Sequence, residues 1–158
     1  MNNEALLSVV AEWLEETELP KLVPRKIPEL DLESIRRVLA VVGPRRAGKT
    51  YLMYQLIAGL ERGGRAGRRD ILFVDFEDYR LGGFTTGDVD PLLATFQRLA
   101  GRPPRFLFFD EVQQVPNWSR ILRTLHNQGR YSIVVSGSNS KALHPEIATE
   151  LRGRYEDL

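Results

Sequence analysis

Residues 43–50 read G-P-R-R-A-G-K-T, two glycines five positions apart with a lysine and a threonine directly after the second. That is the spacing G-x-x-x-x-G-K-[ST], in which a glycine-bearing turn lets the backbone wrap closely round phosphate groups. Successive amides of such a turn, and the positive end of the helix it opens, meet negative charge. Lys49 reaches the outer phosphates and the Thr50 hydroxyl ligates Mg²⁺. The binding set expected from this stretch is Gly43, Pro44, Arg45, Arg46, Ala47, Gly48, Lys49 and Thr50, with Tyr51 directly after it. A chance glycine turn carrying a solvated lysine is the bland alternative. It fits poorly with an apolar strand before the turn and a helix after it.

Phosphate chemistry at such a loop also needs a carboxylate delivered by a second strand. Two stretches compete, Asp75 after Ile71–Val74 and Asp110 after Phe106–Phe109. Asp110 is preferred, because a second acid follows at once: Asp110 can support Mg²⁺ while Glu111 polarises an attacking water. Asp75 is followed by Phe76, Glu77 and Asp78, and reads better as an ordinary acidic strand end. Small polar residues close a further strand, Ser136, Gly137, Ser138, Asn139 and Ser140. They sit where ligands meet the carboxyl end of a parallel sheet, and Ser138 and Asn139 are expected to contact the terminal phosphate or the water. Arg152 and Arg154 could stabilise transferred charge or serve in surface ion pairs.

The elements that must position these residues are legible as periodicities. Leu6, Leu7, Val10, Trp13 and Leu14 recur at helical spacing, which predicts an amphipathic helix packed on the domain. A connector punctuated by Pro20, Pro24 and Pro28 follows. Val38–Val42 is almost purely apolar, as a strand buried on both faces is. Helices are expected over about Lys49–Arg62, Pro91–Ala100 and Trp118–Asn127, and strands at Ile71–Phe76, Phe106–Phe109 and Ser132–Ser136. This alternation predicts a three-layer α/β fold with a mainly parallel sheet. Two parts are expected, residues 1–30 as helix and connector and 31–158 as the nucleotide-binding domain. The stretch 63–69, G-G-R-A-G-R-R, reads as a mobile basic loop that could touch phosphate backbones; a solvated loop whose charges keep the chain soluble is the favoured reading, since no aromatic side chain is interleaved for base stacking.

Composition excludes several classes. In 158 residues, 42% hydrophobic and 27% charged, there is room for one soluble globular domain with a real core. With 22 basic and 21 acidic side chains the net charge is +1, so a nucleic-acid role would need a local patch. The absence of cysteine excludes disulfides and thiolate metal sites. No signal or spanning segment is visible, which makes the cytoplasm the expected location and excludes a membrane partner.

Taken in order, G-P-R-R-A-G-K-T, F-L-F-F-D-E-V-Q followed by Pro116, Asn117 and Trp118, and S-G-S-N-S ahead of E-L-R-G-R-Y resemble an AAA+-related ATPase family of archaea and bacteria. The resemblance spans roughly residues 36–155. It implies a P-loop fold of the additional-strand division, in which one strand lies between the loop strand and the acid strand. It also implies Walker A residues Lys49 and Thr50, Asp110 as metal acid, Glu111 as catalytic base, and Ser138 or Asn139 as γ-phosphate sensor. The region Pro24, Arg25 to Leu30 would lie beside adenine. Relatives of this kind continue through winged-helix and further C-terminal domains, so the chain is expected to be an N-terminal ATPase part lacking the lid and part of the last strand. Beyond ATP, a homo-oligomer is a possible partner, and a protein or nucleic-acid partner would engage only through those further domains. ATP hydrolysis is the leading reading. A nucleotide-dependent switch with negligible hydrolysis is the rival, and small-molecule phosphotransfer ranks behind both. No N-K-x-D guanine signature occurs, which favours adenine.

Overall fold

The computed structural model describes residues 1–16, 18–20, 32, 38–43 and 48–137. Four helices and four strands alternate over these residues: α1 (Asn3–Glu15), β1 (Leu39–Val42), α2 (Lys49–Arg62), β2 (Ile71–Asp75), α3 (Val89–Ala100), β3 (Phe106–Asp110), α4 (Trp118–Asn127) and β4 (Ser132–Gly137). The strands pair in the order β1-β4-β3-β2, every pair parallel. β4 thus lies between the strand that leads into the glycine turn and the strand that ends in Asp110, the inserted-strand arrangement expected from the sequence.

Parallel pairing forces each connection to cross a face of the sheet, and the helices do so on opposite faces. Phe73 of β2 packs on Tyr54 of α2 with ring centroids 4.9 Å apart. Phe109 lies one residue past Phe108, the register partner of Phe73, and so faces the other way; there it lines an apolar cleft with Leu92 of α3 and with Trp118 and Ile121 of α4. The chain runs outward from β1 to β2 and then returns through β3 to β4. Reversing direction while keeping one crossover hand puts α2 on one face and α3 and α4 on the other.

α1 begins at Asn2, whose side chain accepts from the Glu4 amide at 2.9 Å, and buries Leu6, Val9, Val10 and Trp13. The buried stripe is i, i+3, i+4, i+7; Leu7, expected inside, is 40% exposed because it lies one residue off that stripe. β2 is an edge strand among the described residues, and α1 covers it. Trp13 stacks near Phe73 at 5.4 Å and its Nε1 donates to the Ile71 carbonyl at 2.6 Å, occupying an edge carbonyl that no strand pairs.

The strand boundaries differ slightly from the periodicities. β3 and β4 run one residue further, through Asp110 and Gly137, while Phe76 lies beyond β2 and packs on Phe84 and Phe109. Residues 63–69 are largely exposed, as expected of a solvated loop, and are also tied by hydrogen bonds. The Arg65 amide donates to the Leu60 carbonyl at 3.2 Å, Ala66 is buried, and the Asp70 carboxylate accepts from the Gly67 amide at 2.9 Å, closing a short 3₁₀ turn over Arg68–Asp70.

Candidate functional site

Register carries the site. Val42 pairs with Gly137 and Asp75 with Asp110, so the carboxyl ends of β1, β4, β3 and β2 line up in one row. Gly43 leaves β1 at that row, and α2 starts from Gly48, whose φ of 84° lies in the left-handed region where a Cβ is strained. Lys49 and Thr50 therefore open a helix whose amino end faces the row.

Lys49 is 6% exposed and its Nζ donates to the Gly43 carbonyl at 2.8 Å, arcing back across the turn. The same Nζ lies 3.8 Å from Glu111 Oε1. The Thr50 hydroxyl donates to Asp110 Oδ2 at 2.6 Å. Asp110, 2% exposed, receives a second bond at Oδ1 from the Ser136 hydroxyl. Ser136 is fully buried on β4, and its Oγ also accepts from the Glu111 amide at 3.0 Å. One hydroxyl thus joins the carboxylate of Asp110 to the backbone of Glu111. Glu111 itself sits at φ 53°, ψ 50°, a conformation uncommon for a non-glycine residue. Gln113 Nε2 donates to Glu111 Oε2 at 2.5 Å. Gln113 Oε1 is buried with no hydrogen-bond partner among the described residues.

Burial dominates the Asp110 carboxyl and pushes its pKa up. Hydrogen bonds from Ser136 and Thr50 oppose that push, Glu111 adds to it and Lys49 subtracts; the net direction is upward. Asp75, the register partner, is also raised, first by burial, with Asp110, Glu77 and Asp78 adding to it against a bond from the Glu77 amide. Asp75 spends Oδ1 on that amide at 2.9 Å in a local turn, and it is Asp110 that meets Thr50. Two hard oxygens side by side, a threonine hydroxyl and a carboxylate, suit Mg²⁺, whose remaining positions go to water and substrate phosphates. No group of three or more His, Cys, Asp or Glu that could hold a metal alone occurs among the described residues.

The structure therefore brings together Gly43, Gly48, Lys49, Thr50, Asp110 and Glu111. Tyr51 lies on the first turn of α2, 55% exposed, with its ring edge-on to Tyr54 at 6.4 Å. Pro44, Arg45, Arg46 and Ala47 of the turn, Ser138 and Asn139 after β4, the Pro24–Leu30 region, and Arg152 and Arg154 lie outside the described residues. Two contributors were not singled out in the sequence, Ser136 and Gln113. A serine inside the otherwise apolar run S-I-V-V-S-G was the available signal for the first. For the second only its place two residues after Glu111 pointed to the site.

The sequence pattern of the AAA domain family matches residues 35–158. This chain belongs to that family. Over 146 residues it is 36% identical to an uncharacterized protein of Methanocaldococcus jannaschii, covering 92% of this chain and 31% of that protein. Over 121 residues it is 29% identical to an uncharacterized protein of Haemophilus influenzae, covering 77% of this chain and 30% of that one. The chain thus spans about a third of the length of the curated relatives it matches. Family membership and the α/β fold make it a nucleotide-binding domain of ATPase type. No helix among the described residues is long and apolar enough to cross a membrane.

Proposed function

We propose that this AAA domain binds Mg-ATP and hydrolyses it. The observation that supports the reading best is the 2.6 Å contact between Thr50 and Asp110 beside Glu111 and Lys49. Mg²⁺, held by Thr50 and Asp110, would neutralise charge on the outer phosphates. Lys49 contributes the fixed positive charge at those phosphates, and Glu111 accepts a proton from water as it attacks in line. Ser138 and Asn139 follow β4 in the sequence and are proposed as γ-phosphate contacts. ATP is the proposed nucleotide in the absence of a guanine signature. A cytoplasmic setting, a homo-oligomer, and protein or nucleic-acid partners engaged through further domains of longer relatives are proposals at the level of the whole protein.

A second reading is favoured by one feature: both Glu111 oxygens are engaged, Oε1 near Lys49 and Oε2 by Gln113. In that arrangement Glu111 must be released before it can serve as base. The domain would then act as a nucleotide-dependent switch with slow turnover. Phosphate release from Mg-ATP, measured with Glu111→Gln and Lys49→Ala in parallel, separates the two. Under the ATPase reading Glu111→Gln keeps binding and loses turnover by roughly 100-fold or more, whereas Lys49→Ala loses binding. Bound ATP with negligible release by the unmodified chain would instead establish the switch. Turnover unchanged in Glu111→Gln would remove Glu111 from the mechanism.

A further inference from the structure

At the opposite end of the sheet, β2, β3 and β4 begin side by side: Ile71 pairs with Phe106, and Phe106 with Ser132. The segments that lead into them, 61–70, 98–105 and 128–131, contain eight arginines against Glu61 and Asp70. They carry a net +6 in a chain whose net charge is +1, so the remainder carries −5. The end of α1 that carries Glu15 and Glu16 reaches the same region, where the Glu16 carbonyl accepts from Arg68.

Structural roles account for part of this charge. Arg68 lies over the Trp13 ring at 4.2 Å, donates to the Trp13 and Glu16 carbonyls and pairs with Glu61. Asp70, buried, accepts from Arg102 at 2.9 Å and lies 3.7 Å from Arg105. Arginines in the last turn of a helix complement its dipole, which explains Arg62 and Arg98. Arg62, Arg65, Arg69, Arg102, Arg105 and Arg130, several of them engaged in these roles, are all exposed.

Their arrangement is a fixed row. Arg69 stands two residues before β2, Arg105 one before β3 and Arg130 two before β4. Adjacent strands lie about 4.8 Å apart, so the three span roughly 10 Å. Duplex DNA presents about six phosphate charges in that length. The row is also ordered: the Arg105 amide donates to the Asp70 carbonyl at 2.8 Å, Ser132 N to the Arg105 carbonyl at 2.9 Å, and Arg105 Nη2 to the Arg65 carbonyl at 2.6 Å. These bonds fix the backbone from which the three side chains extend.

The residue type points to phosphate. These segments contain no lysine, and the guanidinium fork matches phosphate oxygens in pairs where an ammonium offers only a point charge. A membrane surface fits less well, since Leu99 is the only large hydrophobic side chain exposed in these segments and peripheral insertion needs an apolar face. The aromatics beside the row are Tyr131, half-buried with Arg130 6.0 Å from its ring centroid, and buried Phe106, with Arg105 5.4 Å from its ring, so contact would be made through backbone rather than stacked bases. We propose that this arginine-rich end of the domain binds the phosphodiester backbone of nucleic acid, independently of base sequence and remote from the nucleotide site.

The test is fluorescence anisotropy of a labelled single strand of about 16 nucleotides and of the matching duplex, titrated with the full chain between about 50 and 200 mM salt. The variant is Arg62→Gln/Arg69→Gln/Arg130→Gln, which spares Arg102 and Arg105 on Asp70, and the control is Arg120→Gln/Arg123→Gln on α4. The triple variant is expected to lose roughly tenfold or more in affinity and to lower the salt slope by about 2–3, each single change lowering it by just under about 1. The single variants decide the matter if the triple folds poorly. The control, Lys49→Ala and saturating Mg-ATP should leave binding within about twofold. Failure to bind either oligonucleotide at low salt, binding indifferent to the arginines, or binding abolished by Lys49→Ala would each overturn the proposal. So would tighter binding to phosphatidylserine vesicles or to polyglutamate than to the oligonucleotides, which would assign the surface to a membrane or to an acidic protein.

Discussion

Replacing Ser136 with alanine perturbs two groups at once. Its hydroxyl donates to the buried Asp110 carboxylate and accepts from the Glu111 amide, and Ser136 is fully buried. Loss of a hydrogen bond to a charged group costs about 1.5–3 kcal/mol, and an amide left unsatisfied in the interior costs about 1–3 kcal/mol. The two share one hydroxyl and are not additive, and alanine leaves almost no cavity. About 2–4 kcal/mol is expected, or a fall in Tm of roughly 4–16 °C for a domain of this size. Urea and thermal unfolding measure it, with half-buried Ser132→Ala as the reference, expected within about 0.5 kcal/mol. Mg-ATP affinity and turnover should fall as well, since Asp110 and the strained Glu111 backbone lose their shared anchor. A Ser136→Ala protein as stable as the Ser132→Ala protein would refute the reasoning, because the hydroxyl would then be carrying neither bond.

Gln113→Leu keeps volume and removes the donor to Glu111; turnover should change by about tenfold with ATP affinity within about twofold, and should not change further in a Glu111→Gln background. Steady-state kinetics with a separate binding titration checks this, and an unaltered kcat would exclude a positioning role. Trp13→Phe deletes the bond to the Ile71 carbonyl and should cost about 1–2 kcal/mol, read as a fall in Tm of roughly 2–8 °C; a neutral change would mean that water replaces the indole. For Asp70, burial pushes the carboxyl up, but the Gly67 amide, Arg102 and Arg105 outweigh it and hold the pKa below its ordinary 3.8. The folded state therefore favours the ionised form. Its stabilisation is present above about pH 3.8 and is lost as pH falls through the lower folded value. The urea-midpoint gap between wild type and Asp70→Asn should accordingly be wide near neutrality and close in acid, and a gap constant with pH would contradict it.

The elements most easily read were those where a single physical signal dominates. α2 and α4 begin and end where periodicity placed them, and β1, buried along its whole length, reads as an uninterrupted apolar run. Where two signals compete, sequence reading slipped. In α1 the expected stripe held Leu7 and passed over Val9, whereas the partner surface made by β2 and α3 buries Val9 and leaves Leu7 exposed. Residues 63–70 have the glycine and charge content of a solvated loop, yet Asp70 gathers the Gly67 amide and two arginines into a hydrogen-bonded turn. Asp75 and Asp110 look alike as strand ends and are register partners in the sheet. The adjacent acid Glu111 already favoured Asp110, and the strand order, with β4 beside β1, brings it to Thr50 and Ser136. That order is a long-range property that no local window contains.

The same long-range pairing distinguishes two kinds of buried charge. Lys49, Asp70, Asp88, Asp110 and Glu111 are the charged side chains buried among the described residues. Asp70 and Asp88 each accept from a backbone amide three residues earlier, Gly67 and Thr85, in a capping turn, and each has a cation beside it, Arg102 and the Met1 ammonium. Both have lowered pKa values, the sign of a carboxylate whose ionised form the fold stabilises, bonds and cations there outweighing burial. Asp110 differs on each count. Its hydroxyl partners come from 60 and 26 residues away, and burial beside Glu111 leaves its pKa raised. Glu111 adds a backbone conformation that a non-glycine residue adopts at a cost. A fold that gathers Lys49, Asp110 and Glu111 at one row of strand ends, with the Asp110 carboxyl raised by burial, leaves a carboxylate there for a counter-charge to complete. A bound divalent cation with a polyphosphate is the chemistry that would relieve it.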